Sequence, residues 1–203
     1  KAARKIGLGV MGFADVLIRL KISYNSDKAL EVAENIMRFI SEEATRESVK
    51  LGEERGLFPA FKDSIYDTNN GLRPRNASRT TIAPTGTLSI IAGCSSGIEP
   101  LFALSYIRHI LDGQQLVEVN PYFEETARKE AFYSPELMQQ LAEGKMLRDV
   151  ENIPDWVKDV FVTAHDITPE WHVRMNSTPW RSLKKLQKRR GVLVTQVSFL
   201  LTT

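Results

Sequence analysis

An α/β fold is predicted by the alternation of short β-branched runs with segments of helical periodicity. Two local features support it. Arg79 to Pro84 is a β-branched run that passes through a hydroxyl-rich turn into an apolar helix expected near Leu88. Farther on, Asp112-Gly113 stands between the apolar runs Leu104–Leu111 and Leu116–Val119, the signature of a β-hairpin.

In chain order, Ile6 to Leu20 reads as a first helix, glycine-rich at its start, with Val10, Phe13, Ala14, Leu17 and Ile18 on one side. A long second helix should begin at Ser26, whose hydroxyl can cap it, with Asp27 favourable in the first turn. Leu30, Ala33, Met37, Ile40, Ala44 and Leu51 recur along it at helical spacing, glutamates lie between them, and Gly56 is a natural stop. Phe58 to Asn76, with its prolines, glycine and Asn69-Asn70, reads as a surface connection. Beyond the hairpin, Pro121–Glu130, Pro135–Glu143 (capped by Ser134) and Asp155–Phe161 are helix candidates. Val162-Thr163-Ala164 reads as a brief strand, and Thr168-Pro169-Glu170 opens a further helix with proline in its first turn.

Hydrophobic residues make up 42% of the chain and charged residues 26%, ordinary for a globular protein and against disorder. No apolar run is long enough to span a membrane, and no signal peptide precedes the first helix. The single cysteine, Cys94, excludes a disulfide framework within this chain and suits a reducing, cytoplasmic setting. The net charge of +2 hides a division: Arg181, Lys184, Lys185, Lys188, Arg189 and Arg190 crowd one stretch, leaving the rest mildly acidic. That body has no basic groove and no interleaved basic and aromatic residues, so nucleic acid is not an expected partner.

Several patterns invite a site and do not make one. Gly7-Leu8-Gly9-Val10-Met11-Gly12 has the spacing of a dinucleotide-binding loop, but Lys1 to Lys5 before it is not the buried strand that loop requires. Close helix–helix approach explains those glycines better. His165, Asp166, Glu170 and His172 fit no spacing that sets two metal ligands on one helical face, and His109 stands alone, so no metal site is assigned. Cys94 reads as a small packed residue beside a glycine turn. The turn Pro84, Thr85, Gly86, Thr87 and Leu88 is different. It would bring unpaired amides, two hydroxyls and a helix N-terminus together, which suits an anion, above all a phosphate. A plain strand–helix turn with Thr87 as the cap reads equally well on spacing alone.

The stretch Thr81-Ile82-Ala83-Pro84-Thr85-Gly86-Thr87-Leu88-Ser89-Ile90-Ile91-Ala92-Gly93-Cys94-Ser95-Ser96-Gly97-Ile98-Glu99-Pro100 resembles the large catalytic subunit of ribonucleotide reductase. So do Arg4 to Asp15, Arg75-Asn76-Ala77, Leu111-Asp112-Gly113, Val117 to Pro121, Phe161 to Ile167 and Trp171 to Met175. The likeness is greatest to the class II enzymes, which depend on adenosylcobalamin (vitamin B12). It implies an α/β barrel of ten strands in two five-stranded halves, residues 1–175 supplying part of the C-terminal half. It also implies that Pro84, Thr85, Gly86, Thr87 and Leu88 hold the diphosphate of a ribonucleotide substrate, reduced at its 2′-hydroxyl by thiyl-radical chemistry to supply deoxyribonucleotides for DNA synthesis. Adenosylcobalamin would be the cofactor, a thioredoxin-like protein the reductant and a homodimer the assembly. The reaction needs a radical thiol and a dithiol pair, and Cys94 is not at the family's radical position, so no catalytic residue is assigned and the chain reads as a fragment, inactive alone. Residues 176–203 depart from the family as a divergent basic tail, as a frameshift or truncation would produce. The alternatives are a class I large subunit, which takes its radical from a second protein, and a degenerate nucleotide- or phosphate-binding module.

Overall fold

The computed structural model describes residues 2–109 and 115–177. Residues 178–203 of the basic tail and the Asp112-Gly113 dipeptide lie outside these residues, as does the family-like Leu111-Asp112-Gly113. The elements are α1 (Phe13–Arg19), α2 (Asp27–Arg55), α3 (Gly86–Ala92), β1 (Ser105–His109), β2 (Gln115–Val119), α4 (Pro121–Lys129), α5 (Pro135–Ala142), a 3-10 turn at Leu147–Asp149 and α6 (Asp155–Val160). Residues 169–177 form α7. The class is α/β, but regular pairing among the described residues is confined to the β1–β2 hairpin and two parallel bridges, Leu8 with Thr80 and Leu101 with Thr163. The expected strand at Val162-Thr163-Ala164 is that second bridge and no more.

Two compact units share the chain, residues 11–29 with 86–172, and the remaining stretches. Helix α2, which from Leu30 on belongs to the unit built on residues 2–10 and 30–85, starts and stops as its sequence predicts. Ser26 Oγ accepts the Ala29 amide at 3.1 Å, and Gly56, at φ 81°, follows the last turn. Leu30, Ala33 and Met37 are buried, and farther along the same helix Ser41 and Ser48 are buried too. Ser48 and Asn76 exchange two hydrogen bonds, and the Asn76 side-chain amide donates to the Arg4 carbonyl at 2.8 Å. A buried amide costs little when every partner is supplied.

Two expectations in this unit need correction. Residues 4–12 are not helical. Residues 6–8 run beside residues 78–81, with the Ile6 amide donating to Ser78, Leu8 to Arg79, and the Thr81 amide returning to Leu8. A Cβ on Gly7 would fall 2.7 Å from Thr81 Cγ2, and one on Gly9 2.9 Å from the Thr81 carbonyl oxygen. Close approach is indeed the reason for the glycines, but against an extended segment rather than a helix. Phe58 to Asn76 is irregular as expected, yet Phe58, Phe61 and Asn76 are buried. The Phe58 ring meets Phe61 edge-on at 5.5 Å and Tyr66 at 6.0 Å, so this connection carries core.

In the other unit the core is Ala14 and Ile18 of α1, Leu101, Leu104, Phe123 and Ala127 of α4, Met138 and Leu141 of α5, and Val157, Val160 and Phe161 around α6. β1 and β2 pair antiparallel from Ser105 opposite Val119 to His109 opposite Gln115. Asn120 caps α4 by accepting the Tyr122 and Phe123 amides, and Ser134 caps α5 through Leu137. Each cap precedes a proline in the first turn, where its missing N–H removes no bond. Phe123 is wholly buried and contacts the Phe161 ring at 5.3 Å. Phe123→Ala should therefore cost about 3–5 kcal/mol of unfolding free energy in urea titration. A loss below about 1 kcal/mol would show that Phe123 is not central to this core.

Candidate functional site

The expected anion turn lies where an extended segment ends and α3 begins. Helix α3 starts at Gly86, earlier than Leu88, so Thr87 stands inside the first turn rather than ahead of it as a cap. Thr85 has φ 55°, a left-handed conformation that a β-branched residue adopts only under constraint. Such strain gathers at ligand-gripping turns. Gly86 has no positive φ, and a Cβ built on it meets nothing within 4 Å. No described residue of this chain fills that space. The amides of Gly86, Thr87 and Leu88 belong to the first turn and have no acceptor within the helix. Pro84, Gly86, Thr87 and Leu88 are exposed.

Helix α3 has an inverted polarity. Leu88, Ile90 and Ile91 are 60%, 78% and 78% exposed, while Ser89 is 2% exposed. Its hydroxyl donates to the Gly86 carbonyl at 2.8 Å and lies 2.8 Å from Ser96 Oγ. One hydroxyl has one proton, and a carbonyl can only accept, so Ser96 is the donor in the second bond. Sequence reasoning passed over Ser89. Its signal was visible: a lone serine among isoleucines in a short apolar helix, three residues after the glycine it holds.

The Cys94–Gly97 turn is joined to α1 by complementary needs. Gly12 precedes α1 without a side-chain cap, and the Gly12 and Phe13 amides donate to the carbonyls of Ser95 (2.7 Å) and Gly97 (3.4 Å) instead. In return the buried Asp15 carboxylate accepts the Ser95 amide at 2.7 Å, and the Asp15 amide reaches Ser95 Oγ at 3.4 Å. Cys94 is half-buried, 3.8 Å from where a Gly12 Cβ would stand, which fits a packed thiol. Tyr24, buried, donates its hydroxyl to the Ile98 carbonyl at 2.7 Å. Burial above all, with Glu99 adding to it, pushes that hydroxyl well above the usual tyrosine range, so it stays a donor. Burial likewise lifts the Glu99 carboxyl, with His172 pulling the other way.

The remaining candidates have structural partners. Asp166 Oδ2 accepts both the amide and the hydroxyl of Thr163, at 2.9 and 2.8 Å. His165 lies against the Phe102 ring at 5.8 Å, and His172 Nε2 is 3.4 Å from the Ala164 carbonyl. His109 pairs in the hairpin opposite Gln115. No helix among the described residues is long and apolar enough to cross a membrane.

Residues 1–180 match the ribonucleotide reductase barrel domain. A vitamin B12-dependent ribonucleoside-diphosphate reductase of Thermoplasma acidophilum is 57% identical over 178 residues, which cover 88% of this chain and 23% of that protein. The enzyme of the same name from Mycobacterium tuberculosis is 46% identical over 184 residues, covering 91% of this chain and 26% of its own. The chain thus spans about a quarter of the length of these relatives. Among solved structures, the class Id ribonucleotide reductase α subunit of Actinobacillus ureae superposes with a TM-score of 0.71 at 22% identity, over 88% of this chain and 31% of that one. That likeness establishes a shared fold.

Tyr24→Phe should lower stability by about 1–3 kcal/mol, because the Ile98 carbonyl is left buried without its donor. Equal urea midpoints for the two proteins would mean that the hydroxyl does not hold this turn.

Proposed function

The chain belongs to the ribonucleotide reductase family through its barrel domain, and we propose that it forms the substrate-diphosphate grip of a vitamin B12-dependent ribonucleoside-diphosphate reductase. The observation that carries this reading is the vacant space at Gly86 beside first-turn amides, in a chain 57% and 46% identical to two reductases of that name. Pro84 and Thr85 bring the backbone into the turn, and Gly86, Thr87 and Leu88 offer N–H donors to the phosphate oxygens. Amides held in place bind a dianion without a lysine and without paying to order a long side chain. The absent Cβ at Gly86 lets the phosphate approach the main chain.

In the whole enzyme the ribose 2′-hydroxyl leaves as water and hydrogen takes its place, while a dithiol pair is oxidised to a disulfide. Cys94 alone cannot furnish a radical thiol and a dithiol pair, so other residues of the whole protein supply them. Adenosylcobalamin would generate the thiyl radical. The described histidines are not set out as cobalt ligands, since His165 faces an aromatic ring, His172 a carbonyl and His109 a hairpin partner. This chain's part in the reaction is to place the substrate. A thioredoxin-like reductant, a homodimer and a cytoplasmic setting belong to the same reading, whose product serves DNA synthesis.

The test grafts residues 1–175 into the full-length Thermoplasma reductase in place of the matching stretch. Gly86→Leu should raise KM for a ribonucleoside diphosphate about tenfold or more, as expected for losing one amide–anion hydrogen bond. Inhibition by inorganic pyrophosphate should weaken in parallel, while the melting temperature stays nearly constant, because a Cβ at residue 86 meets no described atom of this chain. Unchanged KM and unchanged pyrophosphate inhibition would remove the turn from the substrate site. Turnover in the graft should need added adenosylcobalamin and no second subunit. Dependence on a partner protein would indicate class I behaviour, and binding without turnover a non-catalytic module.

A further inference from the structure

We propose that Asn70-Gly71 is a deamidation site that the folded turn holds shut, so that the chain is modified there when residues 63–71 come apart. Asparagine is a thermolabile residue, and glycine is the neighbour that hinders its reaction least, having no side chain over the attacking amide. The backbone nitrogen of Gly71 loses its proton to a solvent base and attacks Asn70 Cγ. The new N–C bond closes a cyclic imide as the side-chain amide of Asn70 leaves as ammonia. Water then adds at either imide carbonyl and opens the ring, to aspartate or to isoaspartate. No oxidant or reductant takes part, and the reactants are this dipeptide and water. Because the reacting groups are neighbours in the chain, the chemistry is the same whatever part of a longer reductase lies over the loop.

The fold withholds the nucleophile. Asn69 and Asn70 are the central residues of a tight turn, across which the Gly71 amide donates to the Thr68 carbonyl at 3.0 Å. Attack on Asn70 requires that bond to break and the Asn70–Gly71 peptide to rotate toward the side chain. The main chain is crowded against such a rotation. A Cβ built on Gly71 would collide with the Tyr66 carbonyl oxygen and stand 2.6 Å from Thr68 Oγ1. Tyr66 is itself fastened: its ring meets Phe58 at 6.0 Å, its amide donates to Ser64 Oγ at 3.3 Å and its hydroxyl to the Ala77 carbonyl at 2.9 Å. The packing that protects the site also demands glycine at residue 71, which keeps the reactive dipeptide in place. Isoaspartate would add a methylene to the main chain inside this turn, where the Thr68 bond and the close approach to Tyr66 could not both survive.

The grafted reductase is incubated in mildly alkaline buffer with and without denaturing guanidinium chloride, and mass spectrometry of the tryptic peptide Asp63–Arg75 follows the conversion. Asn70 should convert at least about tenfold faster in the denaturant than in the native protein. Asn69, whose next residue carries a side chain, should convert more slowly than Asn70 in the denaturant. Tyr66→Phe removes the hold on the Ala77 carbonyl and should quicken the native rate about threefold or more, leaving the denatured rate unchanged. Asn70→Gln should stop the reaction. Equal rates in native and denatured protein would overturn the proposal, as would an unreacted Asn70 in the denaturant or a native Tyr66→Phe rate no faster than that of the parent.

Discussion

Within this chain α3 buries Ser89 and leaves Leu88, Ile90 and Ile91 uncovered, so polar contacts fasten it to its own unit. Among these is the hydroxyl of Ser89, which donates its single proton to the Gly86 carbonyl and accepts a hydrogen bond from Ser96. Together these bonds tie the first turn of α3 to the turn at residues 94–97. Hydrogen bonds suit the task because they are directional, whereas apolar burial tolerates rotation and sliding.

The same economy recurs around it. The first turn of α1 has no side-chain cap, and its Gly12 and Phe13 amides donate to the Ser95 and Gly97 carbonyls, with the Asp15 carboxylate accepting the Ser95 amide in return. In the other unit Ser48 and Asn76 satisfy one another and reach Arg4. Backbone groups that regular sheet would pair are paired here by local side chains and single bridges. That is how a stretch of barrel with so few described strands keeps its buried polar atoms bonded, Ser105 Oγ being the side-chain atom without a partner among the described residues.

Legibility in the sequence followed the range of the interaction. Helices with a cap at one end and a breaker at the other were readable, because both signals act within one turn: Ser26 and Gly56 bracket α2, Asn120 opens α4 and Ser134 opens α5. The hairpin was readable from Asp112-Gly113 between two apolar runs. The stretch around Gly7 was not. Its glycines signalled close approach, but the neighbour they approach is Thr81, some seventy residues away, which no local pattern names. Phe58 and Phe61 were hidden for a related reason: prolines and asparagines made their segment look like surface, and burial came from packing.

The sequence by itself determined the class, the long helix and the capped helices, since these depend on residue type and short spacing. Its likeness to the reductase family was carried by the same contiguous motifs. Tertiary structure alone decided that Thr85 is held at positive φ, that the space at Gly86 is vacant, and that Ser89 points inward while its apolar neighbours do not. Each of those depends on which distant segment packs alongside, and contacts such as Ser96 to Ser89 and Asp15 to Ser95 exist only once the chain has closed loops that local preferences do not encode.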